Sequence, residues 1–276
     1  MLEEVIEISR RAGGAILDVY ETADFGVEMK SDDSPLTKAD LASHREIVKG
    51  LAEAFPDIPV LSEESDDIDW PTRSGWSRYF LIDPLDGTKE FISRNGEFTV
   101  NIALIEDGVP VMGVVYVPVQ ATVYAGDRTE ETQAFVERDG ERRAIRAREL
   151  APRLRDRDDV VVVASRRHGS EALERCLEVL NDRFESVSLT SMGSSLKLCL
   201  VAEGEADFYP RLAPTSEWDT AAAQAVVEAA GGQVVDTSLM ALRYNTKENI
   251  LNPYFYVIAD PGFPWADVLS AVSVDD

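Results

Sequence analysis

Two aspartates, Asp83 and Asp86, bracket Pro84-Leu85 at the end of the apolar run Tyr79-Phe80-Leu81-Ile82, and Gly87-Thr88 follow. Two carboxylates at a strand end, with a backbone carbonyl between them, make an oxygen-rich cage for a hard cation such as Mg²⁺. Free N–H groups at the start of a following helical turn can hold a phosphate. A turn in which Asp and Gly merely serve the backbone has the same spelling. Ser62-Glu63-Glu64 follows a short apolar segment and reads equally well as a solvated loop. Thr37-Lys38-Ala39-Asp40 and Ser216-Glu217-Trp218-Asp219 each have the form of a helix capping box. Taken singly, each feature is ordinary.

The elements that must position these residues follow from hydrophobic periodicity. Leu2, Val5, Ile6, Ala12, Ile16, Leu17 and Tyr20 have a helical period. A second helix starts at Thr37–Asp40, buries Leu41, Ile47, Val48, Leu51 and Phe55, and ends near Pro56. Pro59–Leu61 and Tyr79–Ile82 read as strands, and 98–105, 111–117 and 121–125 as an antiparallel meander punctuated by Gly108 and Pro118. The stretch 138–157 holds eight arginines and reads as a charged hairpin and crossing with a solvated face. Beyond it strand and helix alternate: strand 160–164, helix 170–181, strand 186–190, helix 194–203, strand 206–209, helix 217–230 and strand 233–235. That alternation implies an α/β layer. A boundary near 155 therefore separates an N-terminal α+β half, 1–155, from a C-terminal α/β half, 156–276.

Composition narrows the function. The 276 residues carry 51 Asp+Glu against 27 Lys+Arg, a net charge of −24. Such a field repels nucleic acid polymers and anionic lipid. An acidic protein that handles an anionic small molecule needs metal cations or a local basic patch. The cations comprise 21 Arg and 6 Lys. Many carboxylates with few lysines suit a salt-rich cytoplasm, and an ordinary acidic protein is the alternative. A melting curve against KCl separates the two. The uncharged stretch Val109–Val119 is too short to span a membrane and contains Pro110 and Pro118. The amino terminus reads MLEEVIEISRR, with early acids and no apolar leader core. Cys176 and Cys199, in apolar stretches, read as buried free thiols of a reducing cytoplasm.

The features are specific in combination. Asp40, Glu63-Glu64, Asp83-Pro84-Leu85-Asp86-Gly87-Thr88 and Trp218-Asp219-Thr220-Ala221-Ala222 occur in that order. The chain, from about residue 2 to 260, thereby resembles the lithium-sensitive, metal-dependent phosphatases of the inositol monophosphatase superfamily. The run from Asp83 to Ile105, with Gly193-Ser194-Ser195-Leu196-Lys197 and Tyr209-Pro210-Arg211, is most similar to its bacterial 3′(2′),5′-bisphosphate nucleotidase branch. The resemblance implies a layered α/β/α/β/α sandwich with the site between the two halves. It implies two or three Mg²⁺ ions held by Glu63, Asp83, the Leu85 carbonyl, Asp86 and Asp219, with Asp86 bridging two of them. Asp40 and Thr88 orient the attacking water, and Glu64 orients water or a third ion. The Gly87 and Thr88 amides receive the scissile phosphate.

Substrate choice lies in the second half. A bisphosphorylated nucleotide needs extra cations and a planar slot. Ser194, Lys197, Arg211 and His168 match nucleotide-contacting positions of the nucleotidase branch, although Lys197 and Arg211 could instead pair with the many acids and His168 could be an ordinary loop residue. The reaction implied is hydrolysis of adenosine 3′,5′-bisphosphate to AMP and phosphate, which recycles a product of sulfate transfer. An inositol monophosphatase or fructose-1,6-bisphosphatase-like activity is the alternative. A binding module on the same fold is a third reading. Lithium inhibition is expected but does not discriminate among the enzymes. The branch includes members peripheral to the inner membrane, which the net charge argues against here. Extra acids at Ser65-Asp66-Asp67 and the arginine-rich 138–157 depart from the branch without touching the motif. No pattern in the sequence sets an oligomeric state.

Overall fold

A computed structural model describes residues 1–22, 25–30, 35–65, 68–129, 134–150, 159–164 and 171–272. In chain order the strands are β1 (Glu28–Met29), β2 (Pro35–Leu36), β3 (Val60–Ser62), β4 (Arg78–Asp86), β5 (Thr99–Glu106), β6 (Val109–Val117), β7 (Thr122–Asp127), β8 (Phe135–Arg138), β9 (Glu141–Ala144), β10 (Asp159–Ala164), β11 (Ser186–Ser191), β12 (Phe208–Arg211), β13 (Gln233–Asp236) and β14 (Phe255–Ile258). The helices are α1 (Leu2–Tyr20), α2 (Lys38–Ala54), α3 (Trp70–Arg73), α4 (Thr88–Ile92), α5 (Glu171–Arg183), α6 (Leu196–Ala202), α7 (Ala221–Ala229) and α8 (Trp265–Leu269).

A seven-stranded sheet runs in the order β3-β4-β5-β6-β7-β8-β9, antiparallel except for the parallel β3–β4 pair. The expected meander is therefore present. A five-stranded sheet has the order β11-β10-β12-β14-β13, parallel on one side and antiparallel on the other. The alternation read after residue 158 accounts for the parallel part. The antiparallel part comes from β14, whose strand Phe255–Ile258 the sequence reading did not pick out.

Three apolar cores stack these sheets into layers. One lies between α1 with α2 and one face of the seven-stranded sheet, with Val5, Ile6, Ile47, Phe80 and Ile102 fully buried. The second joins the opposite face to α6, α7 and the five-stranded sheet through Leu81, Val115, Leu198, Val226 and Val257. The third covers the outer face of the five-stranded sheet with α5 and α8, through Val162, Leu180, Phe208 and Trp265. The layer order is α/β/α/β/α, as the resemblance implied.

The arginine-rich stretch is a hairpin, β8–β9, that pairs with acids. Arg138 reaches Glu203 at 2.6 Å, and Arg142 bridges Glu3 at 2.5 Å and Glu137 at 2.6 Å. Arg148 meets the fully buried Asp207 at 2.6 Å. The remainder of that stretch and the boundary expected near 155 lie in 151–158, outside the described residues.

Two helices expected near the site are shorter than read. Helix 217–230 breaks into a single 3₁₀ turn, Glu217–Asp219, before α7, because the Thr220 backbone at the junction stands at φ −117°, well off the ordinary helical value. Helix 194–203 starts at Leu196, since Ser194 stands in the left-handed region at φ 55°. Both breaks fall where residues are aimed at the site.

Candidate active site

The site begins with an irregularity in β4. Asp83 pairs with Asn101 and Asp86 with Thr99, so β4 carries one residue more than β5 there. Pro84 supplies no N–H, which suits a bulge and not a regular ladder. The Asp83 carboxylate accepts the Leu85 N–H at 3.0 Å, and the Ser43 hydroxyl donates to the Pro84 carbonyl at 2.6 Å. Gly87 then takes φ 96°, where a Cβ would stand 3.1 Å from the Glu97 carbonyl. Glycine is required at that turn on both counts.

Parallel pairing of β3 with β4 sets Glu63 beside Asp83, its N–H donating to the Ile82 carbonyl at 3.2 Å. The two carboxyls are hydrogen-bonded. Asp219 arrives from much further along the chain. Helix α7 lies against β5, β6 and β7 on a face of Ala222, Ala225 and Ala229, and Gly113 and Gly126 face it. A Cβ on Gly113 would come within 2.0 Å of the Ala222 carbonyl. That close approach carries the turn before α7 over the end of β4. Asp83, Asp86 and Asp219 each offer a carboxylate oxygen, and these atoms lie within 4.8 Å of one another.

The electrostatics of this cluster are strained. Asp83 and Asp219 are held well above the usual carboxylate range, first by burial and then by the charges of the neighbouring acids. The Ser216 N–H and the Arg211 guanidinium only partly offset this at Asp219. Burial also raises Glu63, against the Lys30 ammonium at 2.7 Å. Lys30 reaches Glu64 as well, at 2.5 Å. Burial alone would lower Lys30, but the two glutamates hold it above its ordinary value. The donors at the cluster are all oxygen, a set that suits a hard divalent cation and not a soft one. A divalent cation also relieves the repulsion that burial concentrates. The residues fit magnesium.

Asp40 uses its two oxygens differently. Oδ2 accepts from the Thr37 N–H at 2.8 Å and the Thr37 hydroxyl at 2.5 Å, closing the expected capping box of α2. Oδ1 accepts from the Thr88 hydroxyl at 3.1 Å. Thr88 Oγ1 is 3.4 Å from the Leu85 carbonyl, which brings that carbonyl to the same place. Asp219 divides its work similarly, with Oδ2 accepting from the Ser216 N–H at 2.9 Å. Each motif therefore caps its helix start with one carboxylate oxygen and leaves the other toward the site. Burial raises Asp40, which strengthens it as a proton acceptor.

Asp86 is gripped from the other half of the chain. Ser194 Oγ and Ser195 N both donate to its Oδ2, at 2.7 and 2.5 Å. Behind them Thr99 Oγ1 is 2.6 Å from Ser194 Oγ and 2.9 Å from Ser195 Oγ, and Ser195 Oγ donates to Asn101 Oδ1 at 2.9 Å. Ser194 thus reaches the cluster as well as the adjoining cavity, of about 180 Å³. Gly87, Lys197, Arg211, Glu90 and Glu97 line that cavity with Asp86 and Asp219. Lys197 Nζ donates to the Ser194 carbonyl at 2.7 Å and the Met192 carbonyl at 3.3 Å, and burial lowers it to about 8. Arg211 donates to the Pro214 carbonyl at 2.9 Å. Neither cation forms an ion pair among the described residues, although Lys197 feels the charges of Asp86 and Asp219 and Arg211 that of Asp219.

Asp40, Glu63, Asp83, Leu85, Asp86, Gly87, Thr88, Ser194, Lys197, Arg211 and Asp219 thus all lie at the cluster or on its cavity. His168 falls in 165–170, outside the described residues. Sequence reasoning missed Lys30, in a two-residue-strand region without periodicity, and Lys89, a cavity residue inside the motif.

The model of the inositol monophosphatase family matches residues 1–258. The chain belongs to that family. Within it, the chain is 50% identical over 258 residues to the 3′(2′),5′-bisphosphate nucleotidase CysQ of Salmonella typhimurium, covering 93% of this chain and 99% of the relative. It is 49% identical, with the same coverage, to the protein of that name from Escherichia coli K12. Among solved structures it resembles CysQ from Bacteroides thetaiotaomicron, with 43% identity, a TM-score of 0.79, and coverage of 93% of this chain and 96% of that one. An inositol monophosphatase of Thermotoga maritima shares the fold at 24% identity and a TM-score of 0.74, over 97% and 94% of the two chains. Among the described residues no helix is long and apolar enough to cross a membrane.

Proposed function

We propose that this family member is a magnesium-dependent phosphomonoesterase that hydrolyses adenosine 3′,5′-bisphosphate to AMP and phosphate. The observation that carries the reading is the convergence of Asp83, Asp86 and Asp219 beside a cavity lined by Lys197 and Arg211, neither of which forms an ion pair among the described residues. The likeness to the CysQ nucleotidases at about half identity supports the choice of substrate.

Asp83, Asp86, Asp219, Glu63 and the Leu85 carbonyl would hold two or three Mg²⁺ ions. Bound magnesium supplies Lewis acidity, lowering the pKa of water and drawing charge from the phosphate. The chain's own residues do the rest. Thr88 donates its hydroxyl proton to Asp40 and can accept one from the attacking water on its other side. Asp40, made basic by burial, takes that proton. The Gly87 and Thr88 N–H groups hold phosphate oxygens, fixing the ester for in-line attack. Ser194, with Ser195, fixes Asp86, and Lys197 and Arg211 complement the anionic nucleotide. The two free cysteines, Cys176 and Cys199, support a reducing, cytoplasmic setting.

The test is phosphate release from adenosine 3′,5′-bisphosphate, inositol 1-phosphate and fructose 1,6-bisphosphate, with Mg²⁺ and with a chelator. The nucleotide should be preferred, and the chelator should stop release. A large preference for inositol phosphate would replace this reading with that of an inositol monophosphatase. Absence of Mg²⁺-dependent turnover on all three would leave a binding module.

A further inference from the structure

Lysine is scarce in this chain, and its placement is uneven. Among the described residues arginine makes most of the ion pairs, as at Glu137, Glu203 and Asp207. Of the six lysines, Lys30, Lys89 and Lys197 stand at the candidate site. Lys30 is occupied by Glu63 and Glu64, and Lys197 is buried under two carbonyls. Lys89 is different. It is exposed, it lines the cavity two residues beyond Gly87, and it makes no side-chain hydrogen bond or ion pair among the described residues. It stays unpaired although Glu90 and Glu97 line the same cavity and the chain carries a net charge of −24.

We propose that Lys89 binds the second, non-scissile phosphate of a bisphosphorylated substrate and thereby sets the preference for bisphosphates over monophosphates. The inference rests on the phosphatase reading above and adds the residue that counts the phosphates. The scissile phosphate has the metal cluster and the Gly87 and Thr88 amides. A second phosphate brings up to two more negative charges into a cavity lined by four acids: Asp86, Glu90, Glu97 and Asp219. It needs a cation that is not already committed. Lys197 is buried and holds two main-chain carbonyls, and Arg211 holds the Pro214 carbonyl while keeping its Nε for the nucleotide, so Lys89 is the cation the cavity adds beyond those two. Lys89 has all three ammonium donors to give. Its ammonium rides on a flexible four-carbon stem two residues beyond Gly87, on the wall of the cavity and not at the turn that holds the scissile phosphate.

The test compares wild type with Lys89→Ala, Lys89→Arg and Lys89→Glu on adenosine 3′,5′-bisphosphate and on adenosine 3′-phosphate, which differ only in the second phosphate. Lys89→Ala should lower the ratio of kcat/KM for the bisphosphate over the monophosphate about tenfold, the loss of one charge-assisted contact. The loss should appear in KM. Lys89→Glu should lower the ratio further, and Lys89→Arg should restore most of it. The salt sensitivity of KM for the bisphosphate should fall with the lysine. An unchanged ratio in Lys89→Ala would overturn the proposal, whether both activities survive or both drop together. Should the wild type fail on the nucleotide but turn over sugar phosphates, the substrate reading falls. The same ratio taken between fructose 1,6-bisphosphate and fructose 1-phosphate then decides the role of Lys89 independently.

Discussion

The two capping boxes, Thr37–Asp40 before α2 and Ser216–Asp219 before α7, are the same local device with different neighbours. Each presents one carboxylate oxygen to its own backbone and leaves the other for the site. Around Asp40 the partner is a neutral hydroxyl, Thr88, so the carboxylate faces a proton donor. Around Asp219 the partners are Asp83 and Asp86, so the carboxylate faces like charge. The box fixes where a carboxylate stands, and what the tertiary structure brings opposite decides whether it moves protons or gathers cations.

The largest effect should follow from Asp219→Asn, which removes one charge of the cluster. Turnover should be abolished while the fold survives. The metal-free variant should melt above wild type, because the remaining carboxylates repel less. Wild type should gain about 3 kcal/mol at a hundredfold excess of Mg²⁺ over its dissociation constant, and the variant far less. Near-normal activity, or an undiminished Mg²⁺ stabilisation, would refute the assignment of Asp219 to the metal. Asp40→Asn should behave in the opposite way. Its turnover should fall by roughly 10²- to 10⁴-fold, the usual span for a proton acceptor, while the Mg²⁺-induced rise in Tm is retained. If the two variants lost Mg²⁺ stabilisation equally, the contrast between the boxes would be false.

How far this contrast could be read from the sequence depends on the range of the interactions involved. The Asp83–Thr88 segment was legible because its chemistry is local: a bulge, a proline without an N–H, and a glycine that must adopt positive φ. Both boxes were legible as caps for the same reason. That Asp219 meets Asp83 was not legible from periodicity. It depends on Gly113 and Gly126 lying against the alanine face of α7, a match between positions about a hundred residues apart. The order of layers depended likewise on a shared core in which Leu81, Leu198 and Val257 meet, and only the resemblance supplied it. Lys30 escaped notice because a single lysine in a short irregular segment has no pattern to betray it.

A third effect sharpens the asymmetry. The residue after the N-cap is Lys38 in the first box and Glu217 in the second. Glu217 is buried, with Oε2 accepting from the Asn245 N–H at 2.8 Å and Oε1 without a hydrogen-bond partner among the described residues. Burial pushes it up to about 7. An acid raised from 4.5 to about 7 binds its proton in the folded state over a range where the unfolded chain has lost it. Its favourable contribution is therefore full below pH 4.5 and is lost as pH rises through 7. Glu217→Gln should be close to neutral at pH 5 and should stabilise the protein at pH 8, by up to about 3 kcal/mol. Melting curves at the two pH values check this. A variant that destabilises equally at both would show that Glu217 is held by contacts unrelated to its charge.

The smallest effect separates side-chain from main-chain support. Asp40 Oδ2 takes one of its two bonds from the Thr37 hydroxyl, and the Thr37 hydroxyl oxygen in turn accepts the Ala39 N–H at 3.1 Å. Asp219 Oδ2 is held by the Ser216 main-chain N–H. Thr37→Ala should therefore cost about 1 kcal/mol of stability and a few-fold in kcat, since it loosens both the cap and the proton acceptor. Thr37→Ser should recover both. Ser216→Ala leaves the N–H that orients Asp219, so any loss should be confined to stability, with the Mg²⁺ dependence of turnover unmoved. A shift in the Mg²⁺ midpoint for Ser216→Ala would mean that the Ser216 hydroxyl also orients Asp219 and that the two boxes are built more alike than their bonds indicate.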